Sequence, residues 1–323
     1  MKKYFFGWLL SCLLLISTNT LFATNPRYTY IVALDGSGDY QSIQEAVTAC
    51  GAFSMEEKII FIKKGHYKEK VLIDSFHSNI TLVGESEKET IIDYNNYSGQ
   101  QGIGTFTSYT LKILGDYIKI ENLTVENSAG RVGQAVALHV EGDFFIASNC
   151  SILGNQDTLY TAGKNSRQYF KNCYISGTTD FIFGAATAIF EGCEIHSKTN
   201  SFITAANTPQ ENVFGYVFTK CHLTADDGVD KVYLGRPWRD YAKVVFMDCD
   251  LGKHILAVGW HNWDNPKKEK TAFFAEYNNN GEGANVSKRV SWSHQLTKSQ
   301  AEKYQFKNIF QKESNWDLEK GDM

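Results

Sequence analysis

From about residue 140 to 250, apolar and polar residues alternate over four to six positions, break at Gly, Asn or Asp, and alternate again. Five segments align: Ala147-Ser148-Asn149-Cys150-Ser151-Ile152, Phe170-Lys171-Asn172-Cys173-Tyr174-Ile175, Phe190-Glu191-Gly192-Cys193-Glu194-Ile195, Phe218-Thr219-Lys220-Cys221-His222-Leu223 and Phe246-Met247-Asp248-Cys249-Asp250-Leu251. Phe stands three before Cys in four of the five, and Ile or Leu two after it in all five. Asn79-Ile80-Thr81-Leu82 and Asn122-Leu123-Thr124-Val125 look like earlier copies with an aliphatic residue in the Cys place. Period-two alternation predicts short strands with one buried face. Strands recurring every 20 to 28 residues predict a solenoid. Helical repeats are excluded by β-branched and aromatic segments interrupted by Gly and Asn.

The expected fold is therefore all-β, a single-stranded parallel β-helix with one rung per repeat and loops emerging from one side. Equivalent residues of neighbouring rungs then lie about 4.8 Å apart. The five cysteines would form an inward ladder, packed as free thiols. A Cys173–Cys193 disulfide is the alternative, and spacing leaves both open. Helices are expected to cap both ends. Ser42 to Ala52 carries Ile43, Ala46, Val47 and Cys50 at helical spacing behind a Ser42 N-cap, and Leu296 to Phe310 reads as a polar helix and tail. Capped ends predict a monomer.

Lys2-Lys3, the apolar run Tyr4 to Ile16 and then Leu21-Phe22-Ala23 have the layout of an export signal over residues 1–23. The run is short for a membrane anchor. Cys12 sits inside it, where a lipoprotein site would need the run to stop. Residues 24–323 then form one exported domain, periplasmic or secreted. Removing Lys2 and Lys3 takes the basic count from 32 to 30 against 36 acids, a net charge of −6. With no basic block, nucleic acid is a poor partner. The 21 Phe and 17 Tyr against 4 Pro suit long β ladders.

The repeat carries a chemical expectation. Asp157 follows Cys150 by seven residues and Asp180 follows Cys173 by seven. In register, the two carboxylates stack. Two carboxylates about 5 Å apart cannot both ionise freely, so one keeps its proton to higher pH. An ionised carboxylate beside a carboxylic acid suits hydrolysis by nucleophile and general acid. The alternative is a pair of turn residues in an outward polar ladder.

At these residues the chain resembles the pectin methylesterases, carbohydrate esterases built on a right-handed parallel β-helix. The resemblance begins at Val32-Ala33-Leu34-Asp35-Gly36-Ser37-Gly38-Asp39-Tyr40. It continues through Gly65-His66-Tyr67-Lys68-Glu69, Gln134-Ala135-Val136-Ala137-Leu138, Gln156-Asp157-Thr158-Leu159, Asp180-Phe181-Ile182-Phe183-Gly184 and Leu234-Gly235-Arg236-Pro237-Trp238. Gly259-Trp260-His261-Asn262-Trp263 is similar to a further aromatic segment. The resemblance implies Asp180 as nucleophile and Asp157 as general acid, then base. Gln134 and Gln156 would hold the oxyanion, and Arg236 would orient Asp180 and meet substrate. Thr105, Phe181, Trp238 and Trp260 would contact sugar, with Trp263 open between contact and packing. The implied substrate is methyl-esterified pectin, and neither cofactor nor metal is implied. His139 stands where many plant members carry Arg, and Ala206-Asn207-Thr208-Pro209 is more like bacterial members. A calcium site at Asp226, Asp227 and Asp230 competes with a solvated acidic turn.

Three rivals remain at this stage. A pectin lyase or polygalacturonase would need motifs that the chain lacks. A non-catalytic pectin-binding β-helix has no need of a paired nucleophile and acid. An esterase of the same fold on another acyl ester would share the reaction centre.

Overall fold

The computed structural model describes residues 1, 28–311 and 316 of the 323. The export signal, with Cys12 and the cleavage position near Ala23, lies outside the described residues.

Three parallel sheets of eleven, eight and seven strands wind into a β-helix. One rung runs through Phe145–Ser148, Ser151–Leu153 and Leu159–Thr161, one strand in each sheet. The next is Arg167–Lys171, Tyr174–Gly177 and Ile182–Gly184, followed by Thr187–Glu191, Glu194–Ser197 and Phe202–Ala206. Pairing is in register, with Ile152 beside Ile175 and Leu159 beside Ile182. This is the architecture that the alternation predicts.

The residue before each inward Cys, and its counterparts before Leu123 and Asn279, explain the corner. Asn122, Asn149, Asn172, Gly192, Lys220, Asp248 and Asn278 all adopt left-handed backbone, with φ between 50° and 63°. Asn, Asp and Gly are the residues that tolerate this conformation best, and here it turns the first sheet into the second. Asn79 is left-handed too, with φ of 56°, but stands at a different corner, the one leading into the first sheet. Thr81 and Leu82 pair with Lys119 and Ile120, within the first sheet, so the segment is out of phase with Asn122-Leu123.

The cysteine ladder forms, and Cys50, Cys150, Cys173, Cys193, Cys221 and Cys249 are all buried free thiols. The disulfide considered between Cys173 and Cys193 is absent. Instead the Cys173 backbone N–H donates to Cys193 Sγ at 3.4 Å. Burial pushes the Cys150, Cys193 and Cys249 thiols up, which keeps them protonated. Beside them, Phe170, Phe190, Phe218 and Phe246 stack with ring centroids 4.7, 4.5 and 4.3 Å apart. The close spacing follows from the rung repeat.

Helix α1 (Ile43–Ala49) covers the N-terminal end, burying Ile43, Ala46 and Val47. Its N-terminus is held by Glu69, whose carboxylate accepts from the Ser42 hydroxyl (2.8 Å) and from the backbone of Ile43 (3.0 Å) and Gln44 (3.1 Å). A carboxylate there satisfies orphan donors and complements the helix dipole. The Gly65-to-Glu69 motif is thus tied to the cap.

The C-terminal segment departs from expectation. Only Lys298–Ala301 is α-helical, followed by 3₁₀ and π turns. It does not cap the end. Ala301, Phe310 and Trp316 pack with the outward side chains of the eleven-stranded sheet, namely Ile146, Tyr169, Ile189, Val217, Val245 and Ala275. That apolar stripe needs a cover, and the tail supplies it. Trp260, packed on Phe246 (5.9 Å) and Phe274 (4.6 Å), ends the aromatic stack instead.

Beside Trp260 lies a buried ion pair. Glu276, at the inward position next to Phe246, accepts from Arg289 Nε at 2.8 Å, Arg289 Nη2 at 3.1 Å and Trp260 Nε1 at 3.3 Å. Arg289 also donates to the carbonyls of Leu256, Ala257 and Gly283. Removing one partner strands the other charge in the core. Arg289→Met is expected to cost about 3–5 kcal/mol in urea denaturation, and Glu276→Met/Arg289→Met to recover most of it.

Candidate active site

The seven-stranded sheet carries an outward row, His139, Tyr160, Phe183, Ala205 and Arg236, each beside the next in register. Tyr160 and Arg236 are half-buried, and His139, Phe183 and Ala205 are buried under neighbouring side chains. Tyr160 stacks on Phe183 at 4.6 Å, Phe106 reaches Tyr160 at 5.0 Å, and Trp238 stands 5.9 Å from Phe183. These rings make an aromatic floor. The catalytic candidates sit along its edge, on the turns that lead into the sheet.

Asp157 and Asp180 occupy the same place on successive turns, because Leu159 pairs with Ile182. Both adopt left-handed backbone, with φ of 63° and 50°. Both are nearly buried, at 4% and 6% exposure. Strained backbone holding two buried acids side by side is a functional signature.

The two differ in their partners. Arg236 binds Asp180 through a two-point contact, Nε to Oδ1 at 2.9 Å and Nη2 to Oδ2 at 2.6 Å. Its guanidinium is held between the rings of Phe202 (4.0 Å) and Trp263 (3.7 Å), a geometry that lysine could not reproduce. Asp157 has no such cation. Burial and the Asp180 charge push its carboxyl up to about 8, against smaller downward pulls from a Gln134 hydrogen bond and Arg236. Burial also raises Asp180, but Arg236 opposes it through both hydrogen bonding and charge. The proton therefore resides on Asp157, and Asp180 is the ionised partner.

Gln134 and Gln156 face each other in an isolated parallel bridge, one rung apart. The Thr105 hydroxyl donates to Gln134 Oε1 at 2.7 Å. Asp157, Asp180, Gln134, Gln156, Arg236 and Thr105 are thus gathered, with Trp238 as a half-buried wall. Two expected substrate contacts are not there. Phe181 is fully buried and Trp260 is 1% exposed. Both face the core, so neither ring reaches a sugar. Trp263, left open by the sequence, is half-buried and lies against the Arg236 guanidinium.

Sequence reasoning overlooked Phe202 and Tyr160. The signal was available in parity: if Leu159 and Ile182 point inward, Tyr160 and Phe183 must point outward. Among the described residues no three His, Cys, Asp or Glu side chains gather as metal ligands. Asp226 pairs with His196 at 2.9 Å, and Asp230 accepts from Asn200 at 3.4 Å.

A pectinesterase family model matches residues 29–313. The chain belongs to the pectinesterase family. It is 39% identical over 282 residues to pectinesterase 31 of Arabidopsis thaliana, covering 84% of this chain and 88% of that one. It is 37% identical to probable pectinesterase/pectinesterase inhibitor 6 of the same plant, of whose length it spans 53%. The solved pectin methylesterase from carrot superposes with a TM-score of 0.87 at 33% identity, covering 93% of this chain and 98% of that one. These relatives are from plants, so the expectation of a bacterial-type member is not supported.

The unequal partners of the two acids can be checked directly. Site-resolved carbon NMR titration should place the Asp157 midpoint near 8. In Asp180→Asn that midpoint should fall, because a neighbouring negative charge is removed. A midpoint near 4 in the wild type would contradict the assignment.

Proposed function

We propose that this pectinesterase hydrolyses methyl esters of galacturonate residues in pectin, with Asp180 as nucleophile and Asp157 as general acid and base. The observation that carries the roles is the asymmetry of the pair. Arg236 keeps Asp180 ionised and aimed, while Asp157 retains a proton.

Asp180 attacks the ester carbonyl, and the oxyanion forms against the side-chain amides of Gln134 and Gln156. One such donor is typically worth about 10²–10³ in rate. Asp157 gives its proton to departing methanol. The acyl–enzyme anhydride is then attacked by water, whose proton returns to Asp157. This regenerates both acids and leaves a free carboxylate on the polymer. Arg236 also limits the repulsion between Asp180 and the acid that ionises beside it. Half-buried Tyr160, Trp238 and Trp263 present ring faces and edges on which sugar rings can lie, backed by buried Phe183.

Support for pectin comes from family membership and from the motif set. Export through the 1–23 segment belongs to the same reading, on the N-terminal pattern, and so does a monomeric state, on the N-terminal end covered by α1.

Methanol release from highly methylated pectin by the mature protein tests the reading. Asp180→Asn should cut kcat by several orders of magnitude while leaving the fold intact. Asn is the fitting replacement because it tolerates the left-handed backbone at this position. Near-wild-type turnover in a folded Asp180→Asn variant would remove Asp180 from its role. Pectin binding without any methanol from the wild type would favour a binding module instead.

The pH dependence follows from the same assignments. The active form has Asp180 ionised and Asp157 protonated. kcat/KM should therefore fall above about pH 8 as Asp157 loses its proton. It should also fall in acid as Asp180 gains one, at a pH above the ordinary carboxylate value of 3.8. A log–log profile of kcat/KM measures both limbs.

A further inference from the structure

The segment that carries Thr105 is fastened to the Gln134 strand by buried polar contacts. Thr105 opens a 3₁₀ turn, Thr105–Thr107. The turn is anchored by Ser108, whose hydroxyl donates to the Thr105 carbonyl at 2.7 Å and accepts from the Val136 backbone at 3.1 Å. Buried Asn127 ties the same pieces together. Its amide lies within hydrogen-bond distance of the carbonyls of Asn96 (2.9 Å), Val136 (3.0 Å) and Ser108 (3.1 Å). Its Oδ1 accepts from Ala129 N at 3.1 Å. Earlier in the loop, Ser98 N donates to the Gln134 carbonyl at 2.8 Å. The loop thus grips the chain at the Gln134 carbonyl and again at Val136, two residues on, and the Thr105 hydroxyl meets Oε1 of the Gln134 side chain at 2.7 Å.

A glutamine amide has two ends of nearly equal shape and opposite chemistry. Only the NH₂ end can stabilise an oxyanion. With Oε1 held by Thr105, Nε2 is left for the Asp157 side, where Gln134 hydrogen-bonds the carboxyl. Protonated Asp157 threatens this arrangement. Its O–H could claim Oε1 and turn the amide away from the ester. A hydroxyl donor already on Oε1 opposes that rotation.

We propose that Thr105 is a positioning residue that fixes the amide of Gln134 with its NH₂ end toward the reacting ester, and that the Asn127–Ser108 clamp holds Thr105 in place to do so. This rests on the esterase reading for its consequence in turnover, but the geometry of the amide is testable without turnover. The role differs from the substrate contact that family resemblance implies for Thr105.

The test compares Thr105→Val, which keeps the shape and loses the donor, with Thr105→Ser, which keeps the donor. Kinetics use a methyl-esterified oligogalacturonate, and the Asp157 midpoint is followed by carbon NMR in the mature protein without substrate. The Val variant should lose about tenfold or more in kcat, below the 10²–10³ typical of removing an oxyanion donor outright, with KM within about twofold of wild type. Its Asp157 midpoint should rise, since the Gln134 hydrogen bond that lowers it is weakened. The Ser variant should restore both. A raised KM with unchanged kcat and midpoint would make Thr105 a substrate contact and overturn the proposal. So would a lower melting temperature with unchanged kinetics and midpoint. If the wild type releases no methanol, the activity reading fails, while the midpoints of the two variants still decide how the amide is held.

Discussion

Everything in this molecule depends on one spacing. Parallel rungs repeat at about 4.8 Å, and in-register pairing sets each side chain above its counterpart. For apolar residues the consequence is favourable. Cys on Cys, Ile on Ile and Phe on Phe bury area at little geometric cost, and the Phe170-to-Phe246 stack uses nearly parallel rings at 4.3–4.7 Å. For carboxylates the same spacing is a penalty. Asp157 and Asp180 are forced into mutual repulsion inside a nearly dry turn, and neither position would survive selection for stability alone. The candidate pair is the stacking rule applied to the wrong kind of residue.

That rule also explains which parts of the fold were legible. Ladders need like residues at like phase, so the five Cys segments revealed rungs, faces and the phase of both aspartates. Asn149 and Asn172 marked their corners, because left-handed backbone favours Asn. Where the local pattern and the phase part company, reading fails. Asn79-Ile80-Thr81-Leu82 has the right letters and lies in the wrong sheet. Leu296 to Phe310 has helical composition but is shaped by the apolar stripe beneath it. Whether a tryptophan faces core or cleft is settled by tertiary packing, so Trp260 and Trp263 could not be told apart from their spacing.

The C-terminal end links stability to the site. Glu276 occupies the inward position where a further Phe would continue the stack, and Arg289 neutralises it. Trp260 donates to Glu276 and also forms a bridge with Gly235, next to Arg236. Three residues on, Trp263 covers the Arg236 guanidinium. The chain therefore runs from a neutralised core charge through Trp260 to the cation that binds Asp180 at both oxygens. A buried Trp260 is thereby linked to the Arg236 position through the backbone.

Electrostatic asymmetry is the part that no repeat could supply. Register makes Asp157 and Asp180 equivalent, and two equivalent acids would share one proton without fixed roles. Arg236 breaks the equivalence by contacting Asp180 at both oxygens. It comes from the rung two beyond Asp180, since Ala205 lies between Phe183 and Arg236 in the outward row. Phe202 and Trp263 stop the guanidinium from swinging toward Asp157. Were the guanidinium free to reach both carboxylates, it would lower both, and the difference between them would be lost. The ring faces on either side of Arg236 therefore matter for proton placement as much as for binding, and this is why the site needs aromatic walls beyond those that a sugar would touch.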